Sequence, residues 1–172
     1  MKIFRYKKNL KEINVLFVCM GNICRSPTAH GVFQKLVEEE LLHSVIGVDS
    51  AGTYAYHAGN RPDPRAKSAA SKRGYNLKKL RARKIEPADF LEFDYVMAMD
   101  NKNRQDLLDL CEEDQVGKIM LFLDFAKTTN VTEIPDPYYG GLNGFERVLD
   151  LVEVASHGLL EHIKANHSFN AR

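Results

Sequence analysis

Apolar positions along the chain fall into two rhythms. Ile13, Val15, Leu16, Phe17 and Val18 form a near-continuous β-branched and aromatic run, the pattern of a strand covered on both faces. From residue 28 to residue 42, Val32, Phe33, Leu36, Val37 and Leu41 recur at helical spacing, while Glu38, Glu39 and Glu40 lie mostly on the wet side. The two rhythms then alternate. A strand is predicted over Val45–Ser50, a helix over Asp63–Arg73 stopped by Gly74, and a short turn over Pro87–Leu91. A strand over Tyr95–Met99, a helix over Lys102–Leu110 and a strand over Lys118–Leu123 follow. The last helix, Phe145–Ile163, has Val148, Leu149, Leu151, Val152, Val154, Ala155 and Leu159 on one apolar face. Residues 51–64 form a loop rich in Gly and Pro, and residues 124–144 a long connection without periodicity, the kind that is usually functional or mobile.

Strands alternating with helices predict a single-domain α/β fold. The expected architecture is an open four-stranded parallel sheet of flavodoxin-like kind, strand order 2-1-3-4, with helices on both faces. Ligands of such sheets bind at the carboxyl ends of the strands beside the point where the strand order reverses, here between strands 1 and 3. The 172 residues, 44% hydrophobic, suit one core. Residues 13–163 are expected to form the domain, preceded by a basic lead-in (1–12) and followed by a polar tail (164–172) that frays. A net charge of +1 gives no reason to expect a nucleic acid or a membrane as partner, and no apolar run is long enough to span a bilayer. The lead-in has positive charge but no apolar core, so it does not read as a secretory signal. Three cysteines, an odd number, point to reduced thiols and a cytoplasmic setting.

The chemistry concentrates where the first strand ends. Cys19-Met20-Gly21-Asn22-Ile23-Cys24-Arg25 is a tight loop, and Ser26-Pro27 opens a helix, with Ser26 as candidate N-cap. A loop curled this tightly aims several backbone N–H groups at one centre, and the helix adds its orphan donors and the positive end of its dipole. Arg25 supplies a planar fork that matches two oxygens of a phosphate. Cys19 faces the same centre, and so many donors favour its thiolate, the nucleophilic form. Ser26 is expected to donate its hydroxyl to Cys19, and Asn22 to adopt a left-handed conformation that shapes the loop. Gly21 relieves crowding at the bend.

The stretch VLFVCMGNICRSP resembles the signature of the low-molecular-weight protein tyrosine phosphatases. Asp49-Ser50-Ala51-Gly52-Thr53 and Asp136-Pro137-Tyr138-Tyr139 resemble two further motifs of that family, in the right order. The likeness runs from about Ile13 to Ile163. It implies hydrolysis of aryl phosphate esters, phosphotyrosine above all, through a phosphocysteine and without a cofactor or metal. Cys19 is then the nucleophile. Arg25 and the amides from Met20 through Gly21, Asn22, Ile23 and Cys24 hold the phosphate. Asp136, presented between Pro135 and Pro137, is the general acid and base. The resemblance also implies that Ser50 braces Asn22, that Asp100 buttresses the loop, and that phosphate-like oxyanions inhibit. Tyr138, Tyr139 and Tyr56, with Met20, are candidates to line a slot for a flat ring.

Other residues read more plainly. Cys24 is either a redox partner able to form a disulfide with Cys19 or a small buried thiol. Cys111 reads as core, His30 as structural or surface, and His57, His157, His162 and His167 as surface residues; no His/Cys/Asp cluster has metal-ligand spacing. The run Lys78–Lys84 reads as a solvated face, with substrate steering as the alternative. A family histidine near the second helix end is replaced here by Arg73 or Gly74. A thiol-linked arsenate reductase shares the loop, but beyond Cys24 only Cys111 remains to carry its disulfide relay. A non-catalytic phosphotyrosine binder would have no need of Asp136.

Overall fold

A computed structural model describes residues 11–141 and 143–169. At its centre lies β1, Ile13–Cys19, with every residue buried. It pairs in parallel with β2, Ile46–Gly52, on one side and with β3, Tyr95–Ala98, on the other. A fourth strand, β4 (Ile119–Leu121), lies outside β3, which gives the expected order β2-β1-β3-β4. The alternation of a pleated strand splits the core in two. Val15 and Phe17 pack with α1 (Arg25–Glu39) and the last helix, while Leu16 and Val18 pack with Phe90 and Leu107 on the opposite face.

The helices follow the sequence rhythm, with shifts at their ends. After α1 come α2 (Pro64–Lys72), α3 (Asp89–Glu92), α4 (Asn101–Leu110) and α5 (Gly144–Asn166). Here α1 starts three residues earlier than predicted, and Cys24 rather than Ser26 is its N-cap residue. Ser26 lies inside the first turn, where its hydroxyl faces the loop. The helix stops at Glu39, and Leu41 takes a left-handed φ of 58°. β4 ends two residues early because Phe122–Phe125 turns into a 3-10 helix that buries Phe122 and Leu123. At the other end α5 runs on to Asn166. The predicted fraying from residue 164 is not seen over the described residues, since the Tyr95 hydroxyl lies 2.8 Å from His167 Nε2 and Phe169 packs against the core. Val154, assigned to the apolar face, is 40% exposed. The lead-in prediction falls mostly on residues 1–10, outside those described. No helix among the described residues is long and apolar enough to cross a membrane.

Arg73, one of the two residues read in place of a family histidine, acts as a clamp. Its guanidinium reaches Glu146 at 2.6 Å, Asp150 at 2.8 Å and Glu153 at 3.1 Å, tying the end of α2 to successive turns of α5. The first turn of α5 abuts Pro137, so this clamp also fixes the end of the long connection.

The aromatic knot of the core is Phe17, fully buried between Phe33 (5.5 Å between ring centroids) and Phe122 (4.9 Å), both edge-on. Replacing Phe17 with Ala should leave a cavity under β1 and cost about 3–5 kcal/mol of stability. Thermal unfolding of Phe17→Ala against wild type measures it, and a loss below about 1 kcal/mol would mean the layer repacks freely.

Candidate active site

β1 delivers Cys19 to the carboxyl edge of the sheet in register with Gly52. The loop then lies across the end of β2, where the Thr53 N–H donates to Cys19 O (2.9 Å) and the Tyr54 N–H to Met20 O (3.1 Å). Only a glycine fits at position 52: a Cβ there would sit 2.6 Å from Met20 O and 3.1 Å from Asn22 N. At Gly21 the crowding comes from a neighbouring side chain rather than from the bend, since a Cβ there would come within 2.9 Å of the His57 ring, which would have to shift.

Asn22 carries the left-handed turn predicted for it, with φ at 56°. This conformation costs an asparagine little, and here it is held from both sides. The buried amide accepts from the Arg83 N–H at 3.0 Å and donates to Ser26 Oγ at 2.8 Å. Ser26 Oγ lies 3.0 Å from Cys19 Sγ, and the Asn22 N–H also points at that sulfur, at 3.3 Å. The brace expected from Ser50 is absent. Ser50 Oγ sits 3.2 Å from His30 Nδ1 instead, and the Asn22 carbonyl is taken by Arg83.

Immediately beyond, α1 begins with no side-chain cap and no acid in its first turn. Its orphan N–H groups and dipole are therefore left to an incoming anion. Arg25 opens this helix with 4% of its surface exposed. Its Nη1 donates to Asp100 at 2.5 Å and to Ile134 O at 3.0 Å, and Nη2 lies 3.9 Å from Asp136 Oδ2. Burial opposes its charge, but Cys19, Asp100 and Asp136 outweigh that and hold the guanidinium above its ordinary value. Asp100, the predicted buttress, also caps α4 through the Asn103 N–H.

Asp136 caps a turn of 3-10 helix, Pro137–Tyr139, through a 3.0 Å bond from the Tyr138 N–H. The turn brings it over the loop. Cys19, Arg25 and Asp136 all line one cavity of about 250 Å³, walled by Met20, Ile23, Tyr56, Tyr138 and Tyr139. Each slot residue nominated from the sequence is therefore at the site. His57, read there as a surface residue, is a wall as well, its ring edge-on to Tyr56 at 4.9 Å. Two further residues escaped the sequence reading. Arg65, held by Asp63, lies under the Tyr138 ring at 5.1 Å, and the Asp63 N–H donates to Ile23 O. The Asp-Pro-Arg opening of α2 is the local signal for it. Arg83 breaks the solvated-face reading of Lys78–Lys84, for its side chain pairs with Asp49 and Asp89.

Comparison with known proteins gives the family of the chain. Residues 14–169 match the family model described as low molecular weight phosphotyrosine protein phosphatase. The chain belongs to that family. A putative low molecular weight protein-tyrosine-phosphatase of Synechocystis is 43% identical over 152 residues, covering 86% of this chain and 94% of the relative. The low molecular weight phosphotyrosine protein phosphatase of Schizosaccharomyces pombe is 46% identical over 136 residues, 78% of this chain and 86% of its own. A crystal structure of a protein tyrosine phosphatase from Entamoeba histolytica, with Hepes in the active site, superposes with a TM-score of 0.87 at 43% identity, covering 90% and 98% of the two chains.

The two thiols of this phosphatase-family loop differ sharply in surroundings. Burial, then Asp63 and Cys19, push the Cys24 thiol up to about 12. A folded-state value above the ordinary 9.0 means that the stability from the neutral thiol is complete below 9.0 and is lost as pH climbs toward about 12. At neutral pH iodoacetamide should therefore label Cys19 well before Cys24, read by peptide mass mapping. Equal labelling of the two would contradict the assignment of donors to Cys19 alone.

Proposed function

We propose that the chain hydrolyses phosphotyrosine and other aryl phosphate monoesters through a phosphocysteine at Cys19. The observation that carries this reading is the convergence of Cys19, Arg25 and Asp136 on one cavity at an uncapped helix N-terminus. The phosphate enters with its equatorial oxygens toward the amides of Met20 to Arg25 and the Arg25 fork, which neutralise its charge as it spreads in the transition state. Cys19 Sγ attacks phosphorus in line. The S–P bond forms, the P–O bond to the phenol breaks, and Asp136 gives its proton to the departing oxygen. Water then attacks from the vacated side, Asp136 takes its proton, the S–P bond breaks and inorganic phosphate leaves. The Asn22 N–H and the Ser26 hydroxyl face the sulfur and stabilise the charge that it brings as nucleophile and regains as leaving group.

The walls support an aromatic substrate. Met20, Tyr56, Tyr138 and Tyr139 line the cavity with apolar and aromatic surface of the kind that a flat phenyl ring packs against. Hepes, found in the active site of the Entamoeba relative, carries a sulfonate, a tetrahedral oxyanion of the kind this loop is suited to hold. Phosphate-like oxyanions should compete with substrate here. Arg25 and the loop amides supply the charge stabilisation, so turnover should persist in a chelator. The nucleophile must stay reduced, which suits the cytoplasm.

Cys19→Ser should bind phosphate and release less than about a thousandth of the wild-type product from para-nitrophenyl phosphate in chelator; clear residual turnover would move the nucleophile elsewhere. Asp136→Ala should slow phenyl phosphate by roughly 10²–10⁴-fold and para-nitrophenyl phosphate, with its better leaving group, much less. Equal losses on the two esters would remove Asp136 as the acid.

A further inference from the structure

We propose that Arg83, which touches no reacting atom, is a positioning residue that fixes the polarity of the hydrogen-bond chain ending on Cys19. The proposal rests on the reading of Cys19 as nucleophile and goes beyond it. The guanidinium is gripped on two sides: Nε and Nη2 lie 3.2 and 3.0 Å from Asp49 Oδ2, and Nη1 and Nη2 lie 2.9 and 3.1 Å from Asp89. Asp49 belongs to β2, and the buried Asp89 opens α3 while accepting the Glu86 N–H. A fork held by two carboxylates from separate elements cannot swing, and it immobilises the backbone that carries it. That backbone is also paired with the end of β2, where the Gly52 N–H donates to Arg83 O and the Ile85 N–H donates to Gly52 O, both at 2.8 Å.

What this fixed backbone does is chemical. A side-chain amide has one accepting and one donating end, and its orientation is decided by its neighbours. The Arg83 N–H at 3.0 Å can only donate, so the Asn22 oxygen must face it. The Asn22 nitrogen then faces Ser26 Oγ at 2.8 Å and donates to it. Ser26 therefore keeps its own single proton for Cys19 Sγ at 3.0 Å or for Ala51 O at 3.3 Å. A thiolate is much the better acceptor. Every donor in the sequence Arg83, Asn22, Ser26 points toward the sulfur. The effect is one of orientation rather than of charge, since the guanidinium carries one positive charge and its two partners two negative ones.

The test uses Arg83→Met, Arg83→Lys and Asp49→Asn in the full chain. The readouts are thermal unfolding, para-nitrophenyl phosphate turnover, and Cys19 alkylation by iodoacetate from mildly acidic to alkaline pH. Arg83→Met keeps the N–H but frees the backbone that aims it, so the Asn22 amide can turn and the Ser26 proton can leave Cys19. Losing that aligned hydrogen bond to a charged sulfur corresponds to about tenfold or more, so kcat and the alkylation rate at acidic pH should each fall by about that factor in Arg83→Met, while the alkaline plateau of alkylation stays near wild type. Arg83→Lys and Asp49→Asn should lie between. A folded Arg83→Met with wild-type kcat and alkylation profile overturns the proposal, even if its melting point drops. If Arg83→Met does not fold, a folded Asp49→Asn with wild-type kcat and alkylation profile overturns it equally. A reduced wild-type protein without turnover would instead sink the phosphatase reading itself, which separates the two failures.

Discussion

The sulfur of Cys19 needs hydrogen-bond donors from its own loop, and the loop can supply them only if Asn22 stays left-handed. Much else in the molecule serves that constraint. β1 is buried on both faces, so its carboxyl end, and with it Cys19, is fixed in space. Gly52 leaves room for Met20 O and Asn22 N to lie against the end of β2. The Arg83 N–H and the Ser26 hydroxyl hold the Asn22 amide between them. Without these supports the chain would turn from strand to helix by some other path, and the donors would not meet at one centre.

A second economy concerns charge. Burying Arg25 is unfavourable unless its fork is satisfied, and Asp100 with Ile134 O satisfies Nη1 while leaving Nη2 facing the cavity near Asp136. One cation thus has a structural partner on one side and a functional opening on the other. The same division appears at Asp136, where one oxygen caps the Pro137 turn and the other faces Arg25. Arg73 and Arg65 act from further out. The first clamps α5, whose start abuts Pro137, and the second supports the Tyr138 ring.

The fold was legible in the sequence because each strand and helix carries its own period, and their alternation points to a parallel α/β sheet. The site was legible where function is local: Cys19 to Ser26 is one continuous stretch, and Asp136-Pro137-Tyr138-Tyr139 another. Element ends were not, because Leu41 and Phe122 stop α1 and β4 through a left-handed turn and a packing demand that propensity does not encode. Arg83 was missed for a related reason. Its partner Asp49 lies 34 residues away, its bond to Asn22 spans 61, and the bond comes from a backbone N–H that any residue would provide. Its neighbours Lys78, Lys79 and Lys84 made it look like one more solvated cation. Ser50 failed in the opposite sense, since its position beside the loop was right but its hydroxyl faces His30.

The most direct test of this account is to catch the covalent step. Asp136→Ala mixed with para-nitrophenyl phosphate and quenched in acid within the first turnover should yield, on peptide mass spectrometry, phosphate on the peptide containing Cys19 and on no other. Phosphate on another residue, or a full burst of nitrophenol with no phosphopeptide at all, would contradict nucleophilic catalysis by Cys19.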